Sequence, residues 1–231
     1  MKPSFALLAV LLALPASAQT ASPVTAGQPI VGFEFDWSEG VPWVSYSFQV
    51  QADGKTHFDG TPNPSQPANT GPLQQDFVIS ERNRQVIFDS ARKLNYFQGD
   101  FDSHLKHIAQ TGSKTLEYKS AQVLGSSTYN YSQDPTVQSL TRLFLGLATT
   151  LDYGRKLAWQ YRYDKLGLNQ QLHDLEELQA GHQVEELSII EPILRKIADD
   201  PNVMHISRQT AQQLLKTMGG GSGVAPSAKQ P

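Results

Sequence analysis

The sequence predicts an α+β fold, in which an antiparallel sheet of about five or six strands packs against two main helices and a small helical C-terminal subdomain follows. Three observations support this prediction. Apolar and polar residues alternate in the first third of the chain, which is typical of strands with one buried face. Apolar residues recur at helical spacing near the middle and throughout the last third. Strand patterns come first and helix patterns later, which favours α+β.

The clearest strand pattern follows Trp43. Apolar and polar side chains alternate there, so one face is predicted to point to a core, with Val44, Tyr46, Phe48 and Val50 on it. Asp53-Gly54 supplies the positive φ that a two-residue hairpin turn requires, and residues 56–59 return as the partner strand.

Other regions complete the predicted sheet. An earlier strand places three aromatic residues on one face, namely Phe33, Phe35 and Trp37. Residues 107–131 contain three short strand patterns, separated by turns at 111–112 and 119–122. Residues 61–72 are rich in Pro, Asn and Gly and predict a loop at a sheet edge.

The first main helix is predicted to begin after Ser80, an N-cap residue, and to end near Asn95. Glu81 lies in its first turn, where a negative charge faces the positive end of the helix dipole. Its predicted apolar face consists of Val86, Ile87, Ala91 and Leu94.

The second main helix is predicted to begin at Asp134-Pro135 and to continue to about Lys165. Aspartate is a favoured N-cap residue, and proline is tolerated at the first helical position because its missing N–H has no partner there. One buried stripe is predicted at steps of four, three and four residues, namely Leu140, Phe144, Leu147 and Leu151.

The last third of the chain predicts shorter helices. Leu172, Leu175 and Leu178 mark one helix that Gly181 ends. A second contains Leu187, Ile190, Leu194 and Ile197, and Pro192 must lie in its first turn or kink it. Ser207 is predicted to cap a last helix whose inward residues are Ala211, Leu214 and Leu215.

Residues 1–18 predict a secretory signal peptide. Lys2 precedes an apolar run from Phe5 to Leu14, and Ala16-Ser17-Ala18 fits the small residues before a cleavage site. A periplasmic or extracellular location follows. The remaining organisation is a flexible segment (19–32), an α+β domain (33–166), a helical C-terminal subdomain (167–218) and a disordered tail (219–231).

Composition excludes some classes of partner. Removal of residues 1–18 takes away one lysine and no acid, leaving 18 basic and 22 acidic residues and a net charge of −4. This balance argues against nucleic acid, which needs a concentrated positive surface. After signal cleavage no apolar stretch is long enough to span a membrane. Cysteine is absent, which excludes disulfides and a lipid anchor on cysteine.

The stretch FQGDFDSHLKH, residues 97–107, most resembles a chemical site. If it were helical, His104 and His107 would share a face and could bind a metal. If it is extended, Asp102 and His104 point one way and His107 points the other. Gly99 opposes a helix, so the extended interpretation is preferred. Asp100 and Asp102 are then predicted to form turns by accepting hydrogen bonds from nearby backbone N–H groups.

Two later pairs have helix-compatible spacing, His173 with Glu177 and His182 with Glu186. Each places a histidine and a carboxylate one turn apart, and the preferred interpretation is a solvated acidic face.

Two aromatic segments can serve either packing or binding. Residues 153–165 mix aromatic and basic side chains, a composition that can bind glycan or nucleic acid by stacking and charge. The preferred interpretation is that the aromatic residues pack the C-terminal helices onto the main domain. Tyr129 and Tyr131 are predicted to share one strand face with Tyr118 beside them, in the core or as an aromatic platform.

Four segments together resemble a family of secreted bacterial hypothetical proteins and are similar to a bacterial domain of unknown function. They are SERNRQVIFDSARKLNYFQGDFD, TGSKTLEY, STYNYSQDPTVQSLTRLF and IIEPILRKIADDP. The resemblance covers most of residues 33–218. It implies a secreted α+β module and brings no activity, cofactor or catalytic residue.

The sequence predicts a non-catalytic binding or structural module of the bacterial cell envelope, contacting a protein, peptide or glycan. G-x-S-x-G, H-E-x-x-H, Walker and G-x-G-x-x-G motifs are all missing, so no catalytic, cofactor-binding or metal-ligating residue is predicted. The alternative is an extracytoplasmic hydrolase with dispersed catalytic residues. A deep pocket with converging carboxylates or histidines would favour the hydrolase, and a flat aromatic patch or open sheet edge would favour the binding module.

Overall fold

The computed structural model describes residues 28–219 except 67, 69 and 70. Thus the predicted signal peptide lies outside the described residues, as does the predicted tail from residue 220 onward. Six strands and five α-helices follow one another within the described residues. The strands are β1 (Ile30–Asp36), β2 (Trp43–Gln51), β3 (Lys55–Pro62), β4 (Leu73–Val78), β5 (Ser113–Lys119) and β6 (Leu124–Tyr129). The helices are α1 (Glu81–Lys93), α2 (Pro135–Tyr163), α3 (Leu168–Ala180), α4 (Glu191–Asp199) and α5 (His205–Gly219).

The strands form one antiparallel sheet in the order β4-β3-β2-β1-β5-β6. One face of the sheet packs against α1 and α2, and the rings of Phe33 and Phe144 stack at 4.7 Å between centroids. The opposite face carries polar side chains in water, where His57 Nδ1 lies 2.6 Å from Asp76 Oδ1 on the neighbouring strand. This arrangement confirms the predicted α+β fold with a helical C-terminal part.

Alternation in β2 is confirmed for three of its four predicted core residues, since Tyr46, Phe48 and Val50 are buried. Val44 is only half-buried, because the register between β2 and β3 shifts between Trp43 and Ser45. This irregularity turns Trp43 inward, where its indole Nε1 donates to the Ala148 carbonyl of α2 at 3.1 Å.

The hairpin turn after β2 is confirmed in its key residue, since Gly54 has a φ of 87°. The connection contains three residues, 52–54, rather than the predicted two. At the other end of the sheet, β1 begins at Ile30, so residues 30–32 of the segment predicted to be flexible belong to a strand.

One predicted strand is absent, and one observed strand was not predicted. No strand precedes Gly112 in the segment 98–112, all of which is described, so only two of the three strands predicted there exist. The edge strand β4 was not predicted, because only three of its six residues are apolar and Gln75 lies on the same face as Leu73 and Phe77.

Helix α1 is capped as predicted, since the Ser80 side chain accepts a hydrogen bond from the Asn83 N–H. Ile87, Ala91 and Leu94 are buried as predicted, but Val86 is exposed. Helix α2 confirms the predicted Asp134 cap, the first-turn proline and all four residues of the predicted stripe, which are buried.

The C-terminal helices form a second hydrophobic cluster, which includes Leu157 of α2, Leu172 of α3, Leu194 of α4 and Leu214 of α5. A 3-10 helix (Leu187–Ile190) leads into α4, and Pro192 lies in the first turn of that helix. None of the helices in the described residues is both long enough and apolar enough to cross a membrane.

The prediction for Ser207 was wrong. Helix α5 begins two residues earlier, at His205, so Ser207 lies inside the helix. Its side chain is completely buried, and its hydroxyl has no hydrogen-bond partner among the described atoms.

Candidate functional site

Asp100 and Asp102 form turns, as the sequence predicted. The Asp100 carboxylate accepts from the Asp102 N–H at 3.1 Å, and the Asp102 carboxylate accepts from the N–H groups of His104 and Asn130, both at 2.7 Å. The hydrogen bond with His104 lowers the pKa of Asp100, and the backbone hydrogen bond from His104 lowers that of Asp102.

The predicted extended backbone of residues 100–107 was wrong. His104 and His107 have φ values of 49° and 66°, so the chain turns at both residues. The turn brings His104 Nε2 within 2.6 Å of Asp100 Oδ2, and His104 Nδ1 lies 3.6 Å from Asp102 Oδ1. His107 forms no ion pair with any described residue, and the described residues contain no group of three or more acids and histidines that could hold a metal.

The two later histidine–carboxylate pairs have different outcomes. His173 Nε2 lies 3.3 Å from Glu177 Oε1 on α3, and both side chains are exposed, which agrees with a solvated face. His182 and Glu186 lie beyond the end of α3, so the predicted helical spacing was wrong for them. Glu186 Oε1 instead accepts from the Ser80 N–H at 2.8 Å, at the N-terminus of α1.

The concavity on the open face of the sheet contains three carboxylates. Glu34 and Asp36 of β1 and Asp59 of β3 line a volume of about 230 Å³ together with serine and threonine side chains. Apolar surroundings favour a carboxyl group that acts as a catalytic acid, whereas Glu34 and Asp36 are exposed to water and Asp59 is only half-buried. This concavity therefore gives the predicted hydrolase no support.

The aromatic side chains of residues 153–165 have two different environments. Tyr153 and Tyr161 pack against the C-terminal cluster, as the preferred interpretation predicted. Trp159 and Tyr163 are not among the described residues that form or pack against either hydrophobic cluster. Their ring centroids lie 5.7 Å apart at one turn of α2, and Tyr163 is 64% exposed.

One basic and one apolar side chain lie close to this pair of rings in the chain, where Trp159 is half-buried and Tyr163 is exposed. The guanidinium of Arg162 lies 5.2 Å from the centre of the Tyr163 ring, and Leu166, 73% exposed, lies just beyond the end of the helix. We call Trp159, Arg162, Tyr163 and Leu166 the aromatic patch. Trp159 is half-buried, and the other three side chains are exposed on the surface of the molecule.

The three predicted tyrosines do not form one platform. Tyr129 ends β6 and is buried, with its hydroxyl 2.6 Å from Thr141 Oγ1, and burial raises its pKa to about 12. Tyr131 lies beyond the strand and is exposed. Tyr118 pairs with Gly125 in the sheet and contacts the ring of Tyr96, so it is not beside Tyr129.

A cavity of about 250 Å³ lies where the end of β6 meets the first turns of α2. We call it the Lys114 pocket. Nine residues line it, among them Lys114, Tyr129, Tyr131, Gln138 and Arg142. Two of the nine are cations and none is an acid, so the pocket is positively charged although the whole chain has a net charge of −3.

The sequence analysis singled out Tyr129 and Tyr131 of this pocket but not its two cations, Lys114 and Arg142, although one signal existed. Lys114 is in phase with Leu116 and Tyr118 in β5, so strand alternation alone places this lysine on the inward face. An exposed arginine on a helix, such as Arg142, gives no comparable signal.

Comparison with models of known protein families finds no match, and a search of curated proteins finds no similar sequence.

Proposed function

We propose that this protein is a secreted, non-catalytic binding module of the bacterial cell envelope and that its ligand is an envelope glycan. The observation that carries the proposal is the pair of neighbouring rings formed by the half-buried Trp159 and the exposed Tyr163. Aromatic side chains that contribute to neither core and lie together on the surface are typical of interaction sites.

The chemistry of the aromatic patch favours a glycan among the predicted ligand classes. Trp and Tyr combine an apolar ring face with a polar tip, so they can contact the C–H face of a sugar ring and donate a hydrogen bond at its edge. Arg162 adds further donors beside the rings. The two rings are one helical turn apart on the long helix α2, so the backbone holds them on a rigid support.

Secretion is supported by residues 1–18, which have the charge, apolar run and small residues of a signal peptide. The proposal includes membership of the family of secreted bacterial proteins that the sequence resembles, and an action in the periplasm or outside the cell. N-terminal sequencing of the exported protein is expected to begin at Gln19. An exported protein that still begins at Met1 would contradict this part.

The binding proposal is tested with oligosaccharides of N-acetylglucosamine, measured by isothermal titration calorimetry and by sedimentation with insoluble cell-wall glycan. Tyr163→Ala is expected to weaken binding about fivefold, because the loss of one stacking ring costs about 1 kcal/mol. Tyr163 is exposed, so its replacement leaves both hydrophobic clusters intact.

Tyr131→Ala is the matched control, since Tyr131 is also an exposed tyrosine and lies outside the aromatic patch. It is expected to bind the oligosaccharide as the wild type does. Equal affinities for the wild type and Tyr163→Ala would refute the role of the patch. If the protein binds envelope peptides and not the oligosaccharide, its ligand is a peptide rather than a glycan.

A further inference from the structure

We infer that the Lys114 pocket binds a small organic carboxylate, which the guanidinium of Arg142 contacts directly. This inference is independent of the proposed glycan binding. Arg142 and Trp159 are separated by seventeen positions on α2, or about 25 Å along the helix axis.

Lys114 contributes a buried positive charge that no carboxylate neutralises. The side chain points inward from β5 and is 6% exposed. Its ammonium lies within hydrogen-bond distance of three carbonyls, those of Thr111 at 3.2 Å, Gly112 at 2.9 Å and Asn130 at 3.0 Å. Thr111 Oγ1 is a fourth acceptor at 3.1 Å, so the four oxygens share the three N–H groups of the ammonium. These neutral oxygens hold the ammonium in place, and burial lowers its pKa.

Aromatic residues lie on both sides of this charge in the same row of the sheet. Lys114 pairs with Phe35 on one side and Tyr129 on the other, and its Nζ lies 5.8 Å from the centre of the Phe35 ring. Among the described residues Lys114 has no ion pair. A fixed positive charge in low-dielectric surroundings therefore lies at the wall of an open pocket.

Arg142 contributes the group that is free to contact a ligand. It is exposed on α2, and its guanidinium has no hydrogen bond or ion pair with any described residue. A guanidinium presents parallel N–H donors that match the two oxygens of a carboxylate. The Tyr131 hydroxyl accepts from Gln138 Nε2 at 3.2 Å, so its own proton is directed elsewhere and can serve as a further donor.

The donors favour a carboxylate over a phosphate. Phosphate is commonly bound by the N–H groups of a helix N-terminus or by several arginines. At the N-terminus of α2 the Asp134 carboxylate already accepts from the N–H groups of Thr136 at 2.7 Å and Val137 at 3.1 Å. The pocket, at about 250 Å³, is smaller than the usual cavity for drug-sized ligands, so it suits a small acid.

The test titrates the full-length mature chain with benzoate, acetate and inorganic phosphate in low-salt buffer, using isothermal titration calorimetry. Saturable binding of benzoate or acetate is expected. Arg142→Gln is expected to weaken it at least about tenfold, the effect of losing a charged hydrogen-bonding group. Arg142→Lys keeps the charge but loses the paired donors, so an intermediate loss is expected.

The matched control is Arg82→Gln, because Arg82 is also an exposed helical arginine without an ion pair among the described residues. It removes the same charge from the chain and is expected to leave the affinity unchanged. The inference is overturned by equal affinities for the wild type and Arg142→Gln, by an absence of saturable carboxylate binding, or by tighter binding of phosphate than of either carboxylate.

Discussion

Asp152 is buried in α2 and holds two positive charges. Its carboxylate lies 2.7 Å from Arg155 Nη2 and 2.6 Å from Lys156 Nζ. Arg155 also donates to the Ala68 carbonyl and lies 5.5 Å from the centre of the Trp43 ring. The side chains of Asp152 and Arg155 are only 2% and 3% exposed, so this pair is removed from water.

Asp152→Asn keeps the shape of the side chain and removes the negative charge. The guanidinium of Arg155 then remains buried without a counter-charge, and its Nε already has no partner among the described atoms. Breaking a buried pair in this way costs about 3–5 kcal/mol. Since urea m-values are about 1–3 kcal/mol per molar, the unfolding midpoint is expected to fall by about 1 M or more.

The chain contains a matched control for this experiment. Arg92 and Asp89 of α1 form a salt bridge with the same residue types and the same i,i+3 spacing, but with side chains 63% and 62% exposed. Asp89→Asn is therefore expected to cost about 0–1 kcal/mol. The assay is urea unfolding followed by far-ultraviolet circular dichroism. The unfolding midpoints of the two variants are compared after their m-values are found to agree.

A double variant separates charge from packing. Asp152→Asn combined with Arg155→Met removes the unpaired cation as well, so it is expected to recover part of the lost free energy of unfolding. If Asp152→Asn shifts the midpoint no more than Asp89→Asn does, burial does not govern the strength of this pair and the reasoning is wrong.

Two further predictions concern single side chains. Ser207→Ala is expected to leave the free energy of unfolding unchanged or to raise it by up to about 1 kcal/mol, because it removes a buried hydroxyl without a partner; urea unfolding checks this, and a loss of about 1 kcal/mol would instead indicate an N-cap. His104 is expected to titrate above 6.5, because its hydrogen bond with Asp100 raises its pKa. Its stabilising contribution is thus present below about pH 6.5 and lost as the pH rises through the folded-state pKa. Titration of the imidazole by NMR measures this shift, and an unchanged pKa in Asp100→Asn would contradict the stated cause.

Patterns with a strong local cause were predictable from the sequence. Alternation in β2 and the glycine turn after it depend on neighbouring residues, as do the Asp134 cap and the stripe along α2. The wrong predictions concern residues whose placement depends on contacts with distant parts of the chain, which a short sequence pattern does not contain. A shift in the register between β2 and β3 buries Trp43 in the core and leaves Val44 half-buried. Helix α5 begins two residues before Ser207, its predicted cap.

The candidate sites were less predictable because they join distant parts of the chain. The pattern of residues 100–107 predicts an extended segment, whereas hydrogen bonds between carboxylates and backbone N–H groups form turns that bring Asp100 and His104 together. Lys114 and Arg142 come from a strand and a helix twenty-eight positions apart. Their proximity follows from the way α2 crosses the sheet, which no single stretch of sequence specifies.

Helix α2 belongs to both hydrophobic clusters, with Leu151 in the cluster beneath the sheet and Leu157 in the cluster of the C-terminal helices. The division predicted between residues 166 and 167 therefore falls after a helix that the two halves have in common. If either half unfolded, one end of α2 would lose the side chains that pack against it. The helix would then also support the other half less well. The consequence is thermodynamic coupling, so the sheet and the C-terminal helices should melt in a single cooperative transition rather than one after the other.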